Sequence, residues 1–215
     1  SGINITIPYK QAVIPYLYEI TDVAKKIGAV NTIVNRDGKL YGHNTDVAGL
    51  KALIELNKIS LENKKVLIFG GGGTSKTANA VAQALGAREI IKVSRSAKQG
   101  FVTYDEVYDM HSDASVIINT TPCGMFPNIS GSALDISKFP KLEGVLDAVY
   151  NPLRSELILA AQKRGIKAAG GLYMLVAQAA HAAELFVETK VPTETVDAVY
   201  HAIVKQKQKT IKNSE

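Results

Sequence analysis

Four consecutive glycines follow an apolar run and open an alanine-rich segment, a place where a backbone can bind a phosphate group. The run from Val66 to Phe69 is typical of a buried parallel strand, and residues 75–85 are predicted to form a helix. Glycines let the backbone approach a pyrophosphate, and the N–H groups at a helix N-terminus attract its charge. A flexible glycine linker is the alternative, but the flanking strand and helix argue against it. The predicted dinucleotide-binding loop consists of Gly70, Gly71, Gly72, Gly73, Thr74 and Ser75.

The next predicted strand, residues 89–93, ends in a stretch that indicates which dinucleotide binds. Sites that prefer NAD usually place Asp or Glu about 20 residues past the glycines, where it holds the ribose 2′-hydroxyl. Here the stretch reads Ser94, Arg95 and Ser96, without a carboxylate. A guanidinium flanked by hydroxyls suits a 2′-phosphate, with help from Lys98, so we expect NADP rather than NAD. The alternative is that Arg95 is an ordinary surface charge.

A third polar loop begins at Asn119, where the predicted strand over residues 115–119 ends. Loops at the carboxyl ends of parallel strands line the ligand crevice, so Asn119 and Thr121 are candidates for contacts with the ribose or nicotinamide of a cofactor. Both are equally well explained as turn residues. Cys123 in the same loop is expected to pack rather than react, because no basic neighbour is evident.

The elements that would position these loops alternate between strand and helix. Strands are predicted over residues 66–69, 89–93, 115–119, 144–148 and 167–169, and helices over residues 75–85, 104–110 and 155–164. Alternation of this kind implies βαβ units. We therefore expect an α/β fold with a Rossmann-like, doubly wound parallel sheet and, around it, part of a second α/β domain.

The flanking segments have other patterns. Ile3, Ile5 and Ile7 alternate with polar residues and predict a strand that ends at Pro8. A β-hairpin is predicted over residues 30–42, because an Asp-Gly pair lies between two β-branched runs. Helices are predicted over residues 10–17, 21–27, 47–56, 174–188 and 193–205, with Thr21 or Asp22 capping the second and Thr45 and Asp46 the third.

Composition excludes several classes of function. The 215 residues are 46% hydrophobic and 21% charged, a balance that can bury a core. No stretch approaches the roughly 20 apolar residues that span a bilayer. Much of the net charge of +5 lies in a terminal run that is expected to stay in water, so neither a membrane nor a nucleic acid is an expected partner. That run contains Lys205, Lys207, Lys209 and Lys212. A single cysteine fits a reducing cytoplasm, and no metal is expected because the histidines lack ligand spacing.

Five further segments, taken together and in their order along the chain, resemble a known protein family. They are Asn4-Ile5-Thr6-Ile7-Pro8-Tyr9-Lys10, Gly28-Ala29-Val30-Asn31-Thr32, Gly42-His43-Asn44-Thr45-Asp46, Val149-Tyr150-Asn151-Pro152-Leu153 and Gly170-Gly171-Leu172-Tyr173-Met174-Leu175-Val176-Ala177-Gln178. Their order and spacing, with the dinucleotide segment between them, resemble the shikimate dehydrogenase family. The resemblance implies an NADP-dependent enzyme of aromatic amino-acid biosynthesis, which reduces 3-dehydroshikimate to shikimate.

The resemblance also implies roles for single residues. Lys10 would be the catalytic lysine, since an ammonium can stabilise the developing alkoxide and donate its proton, and Asp46 would orient it. Four side chains would hold the substrate hydroxyls, namely Thr6, Asn31, Asp46 and Gln178. Tyr150 would lie between substrate and nicotinamide. Gly171 and Met174 would contact the nicotinamide.

Each of these residues has an ordinary alternative explanation. Lys10 could be a surface helix residue, and Asn44 and Asp46 could be helix caps. Asn31 could be a turn residue, although it lies in an apparent strand, where Asn is disfavoured. Gln178 lies on an apolar helix face and needs a hydrogen-bond partner, which could be backbone or substrate.

The resemblance implies domain boundaries, and it leaves two rival functions open. It implies a substrate domain over residues 1–46 and 171–215 and an NADP domain over residues 47–170, with a homodimer as one assembly. The first part of the substrate domain is expected to be absent, which would leave an exposed strand edge and weak substrate binding. The rivals are a quinate/shikimate dehydrogenase that uses NAD and a module that binds nucleotide without turnover. Gly71 and Tyr173 depart from the family pattern, and Tyr173 is expected to alter the cofactor fit.

Overall fold

The computed structural model describes residues 1–212, and their side chains as far as Lys209. The strands are β1 (Gly2–Asn4), β2 (Glu19–Ile20), β3 (Thr32–Arg36), β4 (Lys39–His43), β5 (Lys65–Phe69), β6 (Glu89–Val93), β7 (Val116–Asn119), β8 (Gly144–Asp147) and β9 (Lys167–Gly170). The helices are α1 (Asp22–Ile27), α2 (Asp46–Leu56), α3 (Gly73–Ala84), α4 (Tyr104–Met110), α5 (Glu156–Lys163), α6 (Leu172–Val187) and α7 (Thr193–Lys212).

The larger sheet is wholly parallel, with the strand order β6-β5-β7-β8-β9. Beyond β6, Val102 forms a parallel bridge with Val93, so a third strand on that side is reduced to one residue pair. Successive strands are therefore added on one side of the sheet after β5 and on the other side after β7. The point between them is the topological switch point, where open α/β sheets bind their ligands.

Both faces of this sheet are covered, as a doubly wound fold requires. Val66 and Ile68 of β5 face a core that includes α2, α3 and α6. Leu67 and Phe69 face the opposite core, which includes α4 and α5. The continuous apolar run of β5 is thus explained by burial on two sides, and the predicted Rossmann-like sheet is confirmed.

The smaller sheet is mixed and has the order β1-β3-β4-β2. Its hairpin turns at Asp37 and Gly38, both with positive φ, as the sequence predicted. A Cβ on Gly2 would collide with Phe186, so α6 packs closely on β1. The opposite face is covered by a cluster around Ala24 and Val30. β1 pairs only with β3 and lies at an edge, as expected.

Helix α2 connects the two sheets and packs along α6. A Cβ built on Gly49 would lie 2.5 Å from the carbonyl oxygen of Met174 and 3.0 Å from Cβ of Gln178. Only a glycine permits helix backbones to approach this closely. The contact brings the N-terminus of α2 beside the middle of α6, although the two helices lie more than 100 residues apart in the chain.

Two helix predictions were wrong, and one short strand was missed. Residues 10–17 form turns and a short 3-10 helix over Ile14–Tyr16, because Pro15 suits a first turn and cannot donate in a helix interior. Strand β2 was not predicted. The last helix runs on through Lys212 instead of ending at residue 205, and Lys207 donates to Asn151 Oδ1 at 3.0 Å, so the terminal run is not simply a solvated tail. The side chain of Lys212 lies outside the described residues, as do residues 213–215 of the predicted substrate domain.

Candidate active site

A buried ion pair joins the first segment of the chain to the start of α2. Lys10 Nζ donates to Asp46 Oδ2 at 2.6 Å, and the two side chains are only 13% and 8% exposed. Lys10 lies in the turns that follow β1, and Asp46 is the first residue of α2, where a carboxylate is favoured by the helix dipole. A pair so poorly solvated is costly unless its remaining polar atoms are bonded, which explains why neighbouring side chains converge on it.

Two amides surround this pair. Asn31, which is 3% exposed, directs Nδ2 at Asp46 Oδ1 over 2.9 Å and at Gln178 Oε1 over 3.3 Å. Gln178 Nε2 donates to the backbone oxygen of Leu175 at 3.0 Å. The structure therefore brings together four of the residues predicted from the sequence, Lys10, Asn31, Asp46 and Gln178. Because the Asn31 amide bridges the carboxylate and the α6 amide, the explanation as a turn residue does not account for it.

The residues before Asp46 do not cap α2 with their side chains. Thr45 occupies the N-cap position but makes no side-chain capping bond, and its hydroxyl instead faces Asn31 and Gln178. Asn44 Nδ2 donates to Ala29 O at 3.0 Å and to Thr77 Oγ1 of α3 at 3.3 Å. Sequence reasoning treated Thr45 only as a cap, and its contacts with residues far along the chain gave no local signal.

Two predicted substrate residues stand apart from the cluster. Thr6 is exposed in the turn before Lys10, and its backbone oxygen accepts from Tyr9 N at 2.9 Å, with no other hydrogen bond to the part of the chain that the structure describes. Tyr150 is 40% exposed and makes no hydrogen bond or ring contact within the described residues. Both side chains are open to a ligand, but the structure does not bring them into contact with the Lys10–Asp46 pair.

The glycine loop lies at the switch point and forms a cradle. Gly70 N donates to Val93 O at 3.0 Å, and a Cβ on Gly70 would lie 2.5 Å from Thr120 Oγ1. Ser75 Oγ donates to Gly70 O at 2.6 Å and closes the loop onto α3. Gly72 caps that helix without a side-chain bond and faces open space, so the first N–H groups of α3 are available to an anion.

The loop also lies close to the side chain of Lys10. A Cβ on Gly73 would lie 3.3 Å from Cδ of Lys10 and 3.7 Å from Cβ of Ala29. A dinucleotide held by the loop would therefore extend beside the Lys10–Asp46 pair. Gly71, where the family commonly has Ala, has ordinary van der Waals space for a Cβ, which would lie 3.6 Å from Phe101.

A cationic cleft opens beside the loop, past the end of β6. It encloses about 290 Å³ and is lined in part by Lys26, Lys76, Lys92 and Lys98. None of the four forms a salt bridge with a described residue, so the cleft has a positive potential. Lys92 and Lys98 lie 4.8 and 4.9 Å from the ring centre of Phe101. Ser94 is half-buried, and Arg95 and Ser96 are exposed at the same end of the sheet.

The loops after β7 and β8 form an internal network. Asn119 is fully buried, and its amide donates to Asp147 Oδ1 at 2.9 Å while its oxygen accepts from Thr121 Oγ1 at 2.7 Å. Asp147 Oδ2 accepts from Ser155 Oγ at 2.5 Å. Burial raises the pKa of Asp147 above its usual range, although these hydrogen bonds oppose the shift. The contacts favour Asn119 as a turn residue, and sequence reasoning missed Asp147, whose position ending an apolar strand was the available signal.

The start of α6 packs against the residues that follow β8. A Cβ on Gly171 would collide with Ala148 O, and Gly171 N donates to Val149 O at 2.8 Å. Met174 is buried beneath Thr74, beside a void of about 10 Å³. Tyr173 points the other way: its hydroxyl donates to Asp197 Oδ1 of α7 at 2.7 Å, so the expected effect of Tyr173 on the cofactor fit is not supported.

Among residues 1–212, no group of three or more His, Cys, Asp or Glu side chains is arranged to hold a metal ion. In the same part of the chain no helix is long and apolar enough to cross a membrane. His181 Nδ1 lies 2.9 Å from Glu184 Oε2 on its own helix.

Comparisons with known proteins agree on one family. The family model for the shikimate dehydrogenase substrate binding domain matches residues 1–33. The chain is 36% identical to the NADP(+) shikimate dehydrogenase of Clostridium perfringens over 212 residues, which are 94% of this chain and 78% of that protein.

Solved structures are similar over almost the whole chain. A chorismate mutase/shikimate 5-dehydrogenase fusion protein from Clostridium acetobutylicum matches with a TM-score of 0.91 and 32% identity, over 96% of this chain and 78% of that one. Quinate dehydrogenase from Corynebacterium glutamicum, in complex with NAD, matches with a TM-score of 0.83 and 30% identity, over 95% and 77%. Together with the site geometry, an identity of 36% over most of a relative's length shows that the chain belongs to the shikimate dehydrogenase family.

Proposed function

We propose that this protein catalyses the reversible, NADPH-dependent reduction of 3-dehydroshikimate to shikimate, as the named relatives indicate. The observation that carries the proposal is the closeness of the glycine loop to the buried ion pair: a Cβ built on Gly73 would lie 3.3 Å from Cδ of Lys10, whose ammonium lies 2.6 Å from Asp46. A dinucleotide whose pyrophosphate is held by this loop would extend its nicotinamide, the hydride donor, toward the proton donor Lys10. The enzyme is an oxidoreductase whose cofactor is NADP.

The cofactor fits the cradle at the switch point. The N–H groups of Gly72, Gly73 and Thr74 would hold the pyrophosphate at the N-terminus of α3. Ser94, Arg95 and Ser96 would bind the 2′-phosphate, and Thr121, Gly171 and Met174 would line the nicotinamide end. When bound, NADPH supplies the hydride. The remaining loop residues, Gly70, Gly71 and Ser75, keep the loop in its shape.

Lys10 supplies the proton in this mechanism. Its ammonium would donate a hydrogen bond to the substrate ketone oxygen and stabilise the negative charge that develops there, then transfer the proton to it. Asp46 holds the ammonium in place through its Oδ2 atom. Since the pair is nearly excluded from water, the electrostatic stabilisation is stronger than it would be in solvent.

The amide side chains of Asn31 and Gln178 favour a substrate with several hydroxyl groups. Asn31 and Gln178, together with Asp46, offer donors and acceptors that would pair with the substrate hydroxyls. Thr6 and Tyr150 are exposed on the open side and would complete the contacts when substrate binds. A ligand with several hydroxyl groups suits such a set, because every buried polar atom needs a partner.

We assign the substrate domain to residues 1–46 and 171–215 and the NADP domain to residues 47–170. The closeness of Phe186 of α6 to Gly2 supports this division, because the chain returns to its first segment after the nucleotide segment. A small-molecule substrate is the expected partner, and a homodimer is the assembly that we propose. The exposed thiol of Cys123, the single cysteine, supports a reducing cytoplasm as the location.

Turnover assays separate this function from its rivals. With shikimate and NADP we expect reduction of NADP, measured by absorbance, and a kcat/KM at least tenfold lower with quinate and NAD. The absence of a carboxylate at Ser94 to Ser96 supports that preference, although a quinate dehydrogenase with NAD is among the similar structures. A protein that bound NADP in titrations but neither bound nor oxidised shikimate would refute the proposal and favour a nucleotide-binding module.

A further inference from the structure

One threonine contacts both amides that we assign to the substrate. Thr45 is fully buried. Its Oγ1 lies 3.0 Å from Asn31 Nδ2 and 3.2 Å from Gln178 Oε1. Its backbone N–H donates to Asn31 Oδ1 at 2.7 Å. Thr45 thus binds the Asn31 amide at both ends and reaches the Gln178 amide across the gap between α2 and α6.

The Thr45 hydroxyl and the Asn31 amide have fewer protons to donate than there are acceptor atoms within their reach. The Thr45 hydroxyl has one proton and three acceptors within reach at 3.2 Å, namely Asn31 Oδ1, Gln178 Oε1 and Thr32 Oγ1. Asn31 Nδ2 has two protons but three acceptors within 3.3 Å, namely Asp46 Oδ1, Thr45 Oγ1 and Gln178 Oε1. The cluster therefore has more than one way to distribute its hydrogen bonds, and rotation of the Thr45 hydroxyl changes one arrangement into another.

We propose that Thr45 is a positioning residue that sets the orientations of the Asn31 and Gln178 amides and redirects its single proton between them when a substrate hydroxyl enters. A substrate hydroxyl that donates to Gln178 Oε1 frees the Thr45 proton for Asn31 Oδ1, which leaves both amides bonded. The inference rests on the proposed function, because it is there that the two amides are assigned to the substrate.

The consequence is an effect on substrate binding more than on the chemical step. Thr45 does not contact the Lys10 ammonium, whose hydrogen bond goes to Asp46 Oδ2, on the oxygen that Asn31 does not use. Removal of the hydroxyl takes away one of the hydrogen bonds that hold the two amides, while Asn31 Nδ2 still lies 3.3 Å from Gln178 Oε1 and Thr45 N still donates to Asn31 Oδ1. The amides then turn more freely, and the substrate must help to order the site. The affinity for shikimate should fall while proton donation is retained.

The test is Thr45→Val, which removes the hydroxyl, keeps the shape and keeps the backbone N–H. We expect KM for shikimate to rise by roughly 2- to 10-fold, the range that follows from the loss of one hydrogen bond whose partners keep other donors. We expect kcat to stay within about threefold and KM for NADP to be unchanged, because the loop is not involved. Thr45→Ser, which restores the oxygen, should recover most of the affinity.

Thr32→Val is the matched control. Thr32 is also fully buried and donates to Asn31 Oδ1 at 3.1 Å, and its hydroxyl lies 3.2 Å from Thr45 Oγ1, but among the described residues no hydrogen bond joins it to Gln178. A smaller rise in KM is expected for it. In a Gln178→Ala background, Thr45→Val should raise KM by a smaller factor than in the wild type, since part of its action passes through the missing amide.

Three results would overturn the inference: a fall in kcat with KM unchanged, no rescue by serine, or the same factor in both backgrounds. Side-chain amide NMR signals of Asn31 and Gln178 give a readout without turnover. They should broaden or merge in Thr45→Val and stay sharp in Thr45→Ser, and unchanged signals would contradict a positioning role. If the wild type fails to oxidise shikimate while these signals change as expected, the assigned reaction is wrong and the role of Thr45 in ordering the amides stands.

Discussion

The spacing between α2 and α6 should set the geometry of the active site, and Gly49→Ala tests this directly. The new Cβ would lie 2.5 Å from Met174 O, a backbone atom that cannot rotate away. Ordinary Cβ contacts begin at 3.4 Å, so the helices must separate by about 0.9 Å in this close-packed region. Asp46 lies one turn before Gly49, and Gln178 is a direct neighbour of the added methyl group.

The separation has two measurable effects. A misplacement of about 1 Å near the chemistry costs on the order of 100-fold in rate, so we expect kcat/KM to fall by roughly 10- to 100-fold. Overpacking costs about 1–3 kcal/mol, and the better helix propensity of alanine returns about 1 kcal/mol. The net loss of about 0–2 kcal/mol corresponds to a Tm lower by up to about 8 °C.

Steady-state kinetics with shikimate and NADP, together with thermal unfolding, would measure both effects. Lys51→Ala, an exposed substitution on the same helix, is the control and should leave both quantities near their wild-type values. If Gly49→Ala kept the wild-type kcat/KM and raised Tm, only the propensity of alanine would have acted. The close approach of the helices would then not be what positions Asp46 and Gln178.

Other substitutions address single residues. Lys10→Met should lower kcat by about 10²- to 10⁴-fold while NADP titration is unchanged, and a kcat within tenfold of wild type would remove Lys10 as the proton donor. Arg95→Gln should raise KM for NADP by roughly 10-fold or more and leave KM for NAD unchanged, with exposed Arg88→Gln as control; equal effects on both cofactors would contradict a 2′-phosphate contact. Burial, with Arg36 and His181 nearby, lowers the pKa of His43 below 6.5, so the unfolded chain binds the proton more tightly and stability falls as pH drops from 6.5 through the lowered pKa. Urea unfolding at pH 7.5 and 5 should therefore show a smaller loss for His43→Gln than for the wild type, and equal losses would refute the assignment.

The larger sheet was predictable because its signals are local. The apolar run at Val66 to Phe69, the glycines after it and the regular alternation of strand and helix all lie within short windows of sequence, and each element was found within a few residues of its actual bounds. The exceptions have local physical causes too. Pro15 limits the helix predicted at residue 10, and two-residue β2 is too short to show a pattern.

The order of motifs sufficed to predict four residues that the structure brings together at the candidate site, but their contacts were not predictable. Lys10, Asn31, Asp46 and Gln178 were singled out by resemblance, and each alone had an ordinary explanation. Their hydrogen bonds join residues up to 147 positions apart, so no window of sequence contains them. Thr45 and Asp147 were missed for the same reason, since a threonine before a helix and an aspartate after a strand are both common.

The sequence by itself therefore predicted the parallel sheet and the use of NADP, together with the loop and the Arg95 contact that we propose for the cofactor, because periodicity, glycine geometry and charge act over short distances along the chain. Only the tertiary structure decided that Thr45 joins two amides, that Asn119 is held inside a network, and that Gly73 lies close to Lys10. These contacts depend on how closely α2, α3 and α6 pack. That distance is set by the fit of side chains from distant segments, which adjacent residues do not encode.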